Sequence, residues 1–170
     1  MQRFSKISIA ISVLATLGAA VVTAQTPTPA VRTERNISLA LANEIAGATV
    51  TACSANGYAV TATVVDRAGG VRAVQRADNA GPHTLAASQQ KAFTSASAKN
   101  TTLAMQDGSQ INLAAANLVY IPGFLLLGGG VPITIGNDVI GAVGVGGAPG
   151  GHLDEQCAMV ALDKVKDQLK

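Results

Sequence analysis

Residues 125–158 read LLLGGGVPITIGNDVIGAVGVGGAPGGHLDEQCA, and this stretch limits the possible folds more than any other. Two strand-like runs flank a Gly136-Asn137-Asp138 turn, so they are expected to pair as an antiparallel hairpin. Pro132 interrupts the first run and cannot donate a ladder hydrogen bond, which points to an edge strand, a bulge or a ligand-facing bend. The second run, from Asp138 to Gly146, is rich in Val, Ile, Ala and Gly, as a buried strand is. A glycine-rich crossing then enters a last helix. Leu153, Cys157, Ala161, Val165 and Leu169 recur there at four-residue spacing, with Asp154 and Glu155 in the first turn and Lys164, Lys166 and Lys170 near the end, as the helix dipole favours.

The preceding sequence supplies the remaining layers. Ile37, Leu41, Ile45, Ala48 and Ala52 form a helical stripe entered through Asn36 or Ser38, and Asn56-Gly57 ends it. From Tyr58 to Val65, Val60, Ala62 and Val64 alternate with Thr61 and Thr63, the pattern of a half-buried strand. Residues 66–70 make a hairpin turn, and the chain returns from Val71 to Gln75. Pro82 opens a second helix through Leu85, Ala86, Gln89 and Phe93. Residues 101–117 read as a short helix broken at Asp107-Gly108, followed by a turn and an irregular crossing. Few strands, joined as hairpins and accompanied by helices, argue for an α+β single domain rather than a doubly wound sheet.

The N-terminus has the plan of a secretory signal. Arg3 and Lys6 precede an apolar run at residues 7–22, and Val22-Thr23-Ala24 offers small residues for cleavage. Residues 1–24 are therefore expected to be removed, residues 25–36 to form an extended linker, and residues 37–170 to form the domain. The apolar run is short for a membrane span. Loss of Arg3 and Lys6 brings the 12 basic residues level with the 10 acidic ones, so the mature chain is near neutral. It has no Trp and no basic cluster, which disfavours nucleic-acid binding. Charged residues make up only 13% of the chain, a composition that suits a surface covered by copies of itself.

Candidate chemistry is sparse. The Gly144, Gly146, Gly147 and Gly150 series resembles a dinucleotide loop, but such a unit needs another strand and an acid about 20 residues on, and here a single helix follows. Those glycines are better read as permitting tight packing or lining a pocket wall. Cys53 ends the first helix and Cys157 begins the last; as the lone pair in an exported chain they are expected to form a disulfide. Two buried small residues, or a thiolate ligand, are the competing readings. His83 and His152 are the only histidines. His83 stands near Asp78, Asn79 and Lys91 at a loop-to-helix edge, where a ring nitrogen could reach a porphyrin iron or an anion; His152 could flank the same cavity. There is no CxxCH haem attachment and no spacing for a metal site. No nucleophile elbow or catalytic carboxylate pair appears, so an enzyme has no residue-level support; Asp66 and Asp78 read as turn residues.

Four ordered segments, VTATVVDRAGG, DNAGPHTLAASQQKAFTSAS, LLLGGGVPITIGNDVIGAVGVGGAP and DEQCAMVALDKV, together resemble the GlcG/HbpS-like family, which includes the C-terminal domain of PduO-type proteins. The resemblance spans nearly all of residues 37–169. It implies a profilin-like antiparallel sheet flanked by helices, self-assembly into dimers or larger rings, and haem-linked binding in several members. It also implies that His83 and Lys91 lie on the family's helix-edge motif, and that Gly128, Gly129, Gly130, Pro132, Gly144, Gly146 and Gly147 line its pocket. The expected function is an exported, periplasmic or secreted protein that binds haem non-covalently, with His83, Lys91 and His152 as ligand-binding candidates. The alternative is an enzyme or accessory subunit that binds a small hydroxy acid such as glycolate, with Lys91 and the amides of Gly128 to Gly130 holding its carboxylate.

Overall fold

The computed structural model describes residues 30–170, and the signal-like segment, with the first five residues of the expected linker, lies outside them. The chain divides into two units, Met1–Thr33 and Glu34–Lys170, and the second carries the fold. In chain order it contains α1 (Leu39–Ser54), β1 (Thr61–Asp66), β2 (Val71–Arg76), α2 (His83–Ala98), α3 (Thr102–Ile111), α4 (Leu113–Ala116), a 3-10 turn (Asn117–Tyr120), β3 (Gly130–Ile135), β4 (Asp138–Gly146) and α5 (Gly151–Lys164), followed by a short 3-10 turn (Lys166–Gln168). The strands form one antiparallel sheet in the order β2-β1-β4-β3. Pro132 lies on edge strand β3, which also carries a register shift between Ile133 and Thr134. The missing donor and the irregularity are both tolerated there because no strand follows on that side.

Both faces of the sheet are covered. Val60 and Val64, Val143 and Val145, and Val131 and Ile133 point to one face and pack with Ile45, Ala46, Cys53, Cys157 and Ala158 of α1 and α5. The other face lies under α2, where Val65 and Ala142 meet Ala92 and Ala96. β1 is therefore not half-buried as its alternation suggested: Thr61 and Thr63 are as buried as their apolar neighbours. Their hydroxyls are satisfied across the interface, Thr61 Oγ1 at 2.7 Å from Thr84 Oγ1 and Thr63 Oγ1 at 2.8 Å from Ser88 Oγ. A threonine in a strand can face a buried layer when a hydroxyl opposite completes its hydrogen bond.

α2 reverses the expected amphipathicity. It buries Thr84, Ser88, Lys91, Thr94 and Ser95 and leaves Leu85 exposed. Small side chains let the helix come unusually close: a Cβ on Gly144 would run into Ser88 O and Ala92 N, and one on Gly130 into Lys91 O. Two further expectations are corrected. α3, capped by Thr101 accepting from Ala104 N (3.2 Å), runs through Asp107-Gly108 without a break to Ile111, and Gly108 O accepts from Asn112 N at 3.0 Å. α1 buries Ala42, Ile45, Ala46, Thr49 and Cys53, a stripe rotated from the expected one; its cap is Ser38, one of the two expected candidates. Residues 35–37 join the domain. Ile37 N donates to Ile140 O at 3.1 Å, Arg35 pairs with Asp138, and Arg67 donates to Arg35 O. The Arg35 guanidinium holds the Asp138 carboxyl below its ordinary pKa.

Candidate functional site

Cys53 and Cys157 are bonded, with their Cα atoms 5.3 Å apart, so the first and last helices are adjacent as expected. The N-terminal turn of α5 follows the end of β4 across the glycine-rich crossing, which opens into a cleft. The cleft holds about 200 Å3 and is lined by His83, Ala87, Lys91, Leu127, residues 146–151 and Asp154. His83, Ala87 and Lys91 are four residues apart, so one side of α2 descends from an exposed imidazole at the mouth to a buried ammonium at the floor.

Lys91 is the largest fully buried side chain among the described residues. Its Nζ donates to Val145 O at 2.8 Å and to Asp154 Oδ2 at 2.8 Å. The other carboxylate oxygen of Asp154 accepts from Ala148 N at 3.0 Å. One pair thus ties α2, the end of β4, the crossing and α5 together. Gly129 makes room for it: at a φ of 120° it presents no side chain, whereas a Cβ would lie 2.7 Å from Asp154 Cβ and 3.1 Å from Lys91 Nζ. Burial raises the pKa of Asp154 above the ordinary carboxylate value even though Lys91 and the Ala148 and Gly147 amides oppose the shift.

Glu155 forms a second junction. Its carboxyl faces Thr101 and the Leu103 amide at the start of α3, and the Gly129 backbone; burial raises its pKa despite these contacts, and the charge of Asp107 adds to the rise. Its Oε2 is buried without a hydrogen-bond partner.

The residues singled out from sequence have three kinds of setting. His83, Lys91, Gly146 and Gly147 line the cleft. His152, in the first turn of α5, is exposed, lies outside the lining, and stacks its ring near Gly150. Gly128, Gly129, Gly130 and Gly144 are buried spacers between backbones, and Pro132 is half-buried in β3. The donors expected to hold a hydroxy acid are engaged within the fold: Lys91 by Asp154, Gly128 N by Gln106 Oε1 at 2.9 Å, and Gly130 N by Thr102 Oγ1 at 2.7 Å. Asp154, read from sequence as a helix-dipole acid, is the residue that reasoning missed. The available signal was the spacing of Thr84, Ser88, Lys91 and Ser95, which puts a lysine on a face otherwise made of small residues.

Among the described residues no cluster of His, Cys, Asp and Glu is arranged to hold a metal ion. No described helix is long and apolar enough to cross a membrane.

An antiparallel four-stranded sheet covered on both faces by helices, with a cleft where the last strand crosses into the last helix, defines a small α+β domain. The chain belongs to the family described as haem degrading protein HbpS-like, whose model matches residues 37–163. Protein GlcG of Escherichia coli K12 is 31% identical over 114 residues, covering 67% of this chain and 84% of that protein. The crystal structure of a double mutant of HbpS from Streptomyces reticuli superposes with a TM-score of 0.76 at 32% identity, covering 86% of this chain and 99% of the other. A PduOC:heme complex shares the fold, with a TM-score of 0.68 at 21% identity over 75% of this chain and 94% of that one.

Proposed function

We propose that the protein is exported, with residues 1–24 removed, that it binds haem non-covalently, and that it works as an assembly of copies. The observation that carries the haem reading is an exposed His83 at the mouth of a cleft in a member of the HbpS-like family. A cleft of about 200 Å3 is smaller than the ~300–1,000 Å3 of usual ligand pockets. A porphyrin is therefore not swallowed whole. It fits only with most of the ring outside the cleft, where the His83 imidazole is free to reach an iron. Iron ligation and the redox chemistry of the macrocycle are what haem would supply. The chain's own residues hold the His83 end of α2 fixed, through the Thr84 and Ser88 hydroxyls and the Lys91 pair. His152 is the weaker candidate because it lies outside the lining.

Titrating haemin into the purified protein and following the Soret band tests this reading. Saturable binding is expected, lost in His83→Ala and retained in His152→Ala. Absence of saturable binding removes haem, and binding indifferent to His83→Ala removes the ligand assignment. A second reading, a small hydroxy acid, is favoured by the cleft volume alone; heat released on titrating glycolate, with none from haemin, would select it. Mass spectrometry of the periplasmic and secreted fractions, showing a chain that starts at Gln25, checks export.

A further inference from the structure

Residues 108–137 contain no Asp, Glu, Lys, Arg or His. The outermost part of this stretch is an arm made by the end of α3, by α4 and by the 3-10 turn. Thr102 is the one buried residue of α3, and α4 and the 3-10 turn have none. On the arm Ile111 is 90% exposed, Leu113 87% and Tyr120 81%, with Val119 and Ile121 also exposed. An aromatic side chain taken fully out of water removes on the order of 150–250 Å2 and the aliphatic ones somewhat less, so these five, two of them about half exposed, amount to several hundred Å2. That matches the ~300–600 Å2 of the largest apolar patch on a typical monomer and approaches the ~800 Å2 that each side of a standard interface covers.

Most of the other exposed apolar side chains lie nearer to charges, and Leu127, which shares the uncharged stretch, lines the cleft instead. Val71 and Val74 of β2 alternate with Arg72 and Arg76, and Met159 and Val160 of α5 are followed by Asp163 and Lys164. The arm joins strong exposure to residues 111–121 that carry no charge of their own, with Asp107, one helical turn before Ile111, at its border, and that combination selects its occupant. Surface-seeking membrane helices carry Lys or Arg on their polar side, and the arm has neither. A charged partner protein would find nothing to pair with. A second copy of the same surface, brought up about a two-fold axis, meets no like charge within residues 111–121 and covers the same side chains on both partners.

We propose that residues 111–121 are the surface on which a second copy of this chain packs. The proposal rests on the assembly reading above and adds where the copies meet.

Sedimentation velocity over a wide concentration range, on the haem-free protein as the cell matures it, tests both. The expected result is a self-associating wild type, and an Ile111→Glu/Leu113→Glu protein whose dissociation constant is raised at least about thirtyfold. Met159→Glu, at an exposed position on α5, is expected to leave association unchanged. Thermal unfolding followed by circular dichroism shows whether each variant is folded. Should the double variant fail to fold, Tyr120→Lys, at a side chain already in water, gives the same reading. A wild type that stays monomeric overturns the assembly and the surface together. An assembly that withstands the arm substitutions, or is lost in Met159→Glu instead, overturns the surface alone.

Discussion

Replacing Lys91 with Met keeps much of the side-chain volume and removes the ammonium shared by Asp154 and the Val145 carbonyl. The two side chains of the pair are 2% and 3% exposed, so solvent does not screen the loss. Removing one member of such a pair leaves an uncompensated buried charge, at a cost of about 3–5 kcal/mol. Asp154 keeps the Ala148 amide, which places the expectation near the lower end, about 3 kcal/mol. That is a large fraction of the ~5–15 kcal/mol by which domains are stable. The carboxyl can relieve the cost by taking up a proton: burial already raises its pKa, and without Lys91 the rise is larger. A group whose folded pKa is raised contributes stability that is present below its unfolded pKa and lost as pH rises through the folded one. The Lys91→Met deficit is therefore expected to be smaller in mildly acidic than in mildly alkaline buffer. Lys91→Met/Asp154→Leu, which removes both charges, is expected to recover most of the loss. Urea unfolding of the three proteins at both pH values, read as a midpoint shift at constant slope, measures each quantity. A single-variant loss below about 1 kcal/mol, a deficit that ignores pH, or a double variant no better than Lys91→Met would refute the reasoning.

Three further outcomes follow from the geometry. Cys53→Ala/Cys157→Ala removes a bond spanning 104 positions and is expected to lower stability by about 2–5 kcal/mol, seen as a reduced melting temperature that reducing agent does not lower further. Gly144→Ala drives a methyl into the α2 backbone and is expected to cost about 3 kcal/mol or more, measured by urea unfolding; a near-neutral result would show that α2 can lift from β4 at little expense. Glu155, like Asp154, has a raised folded pKa, so it favours the folded state below the ordinary glutamate range and loses that contribution as pH rises. Glu155→Gln is therefore expected to flatten the fall in stability between mildly acidic and neutral pH, followed by unfolding midpoints across that interval.

The outline of the fold was legible where local chemistry decides it. The Asn137 turn, the Pro132 edge, the hairpin at residues 66–70 and the Cys53–Cys157 bond each follow from a property of one or two residues. The burial of β1 and the orientation of α2 were not, because each depends on what lies opposite. Thr63 looks solvent-facing until Ser88 is placed against it, and Ser88 looks exposed until Gly144 has let the helix approach. The candidate site divides the same way. His83 was visible as a ligand type at a helix start. Asp154 was not, because its partner lies 63 residues away and the helix dipole already accounted for an acid there.

The bond between α1 and α5 also closes a covalent ring around the sheet, α2 and the arm. A protease that cuts once within residues 54–156 produces no separate fragment: the two pieces stay joined through Cys53 and Cys157 until they are reduced. Because the arm holds few buried residues, a nick there is expected to be survivable, with the pieces retained at high effective concentration around the same core. Integrity on a non-reducing gel is therefore no proof of an unbroken chain, and activity measured after digestion has to be read alongside a reduced sample.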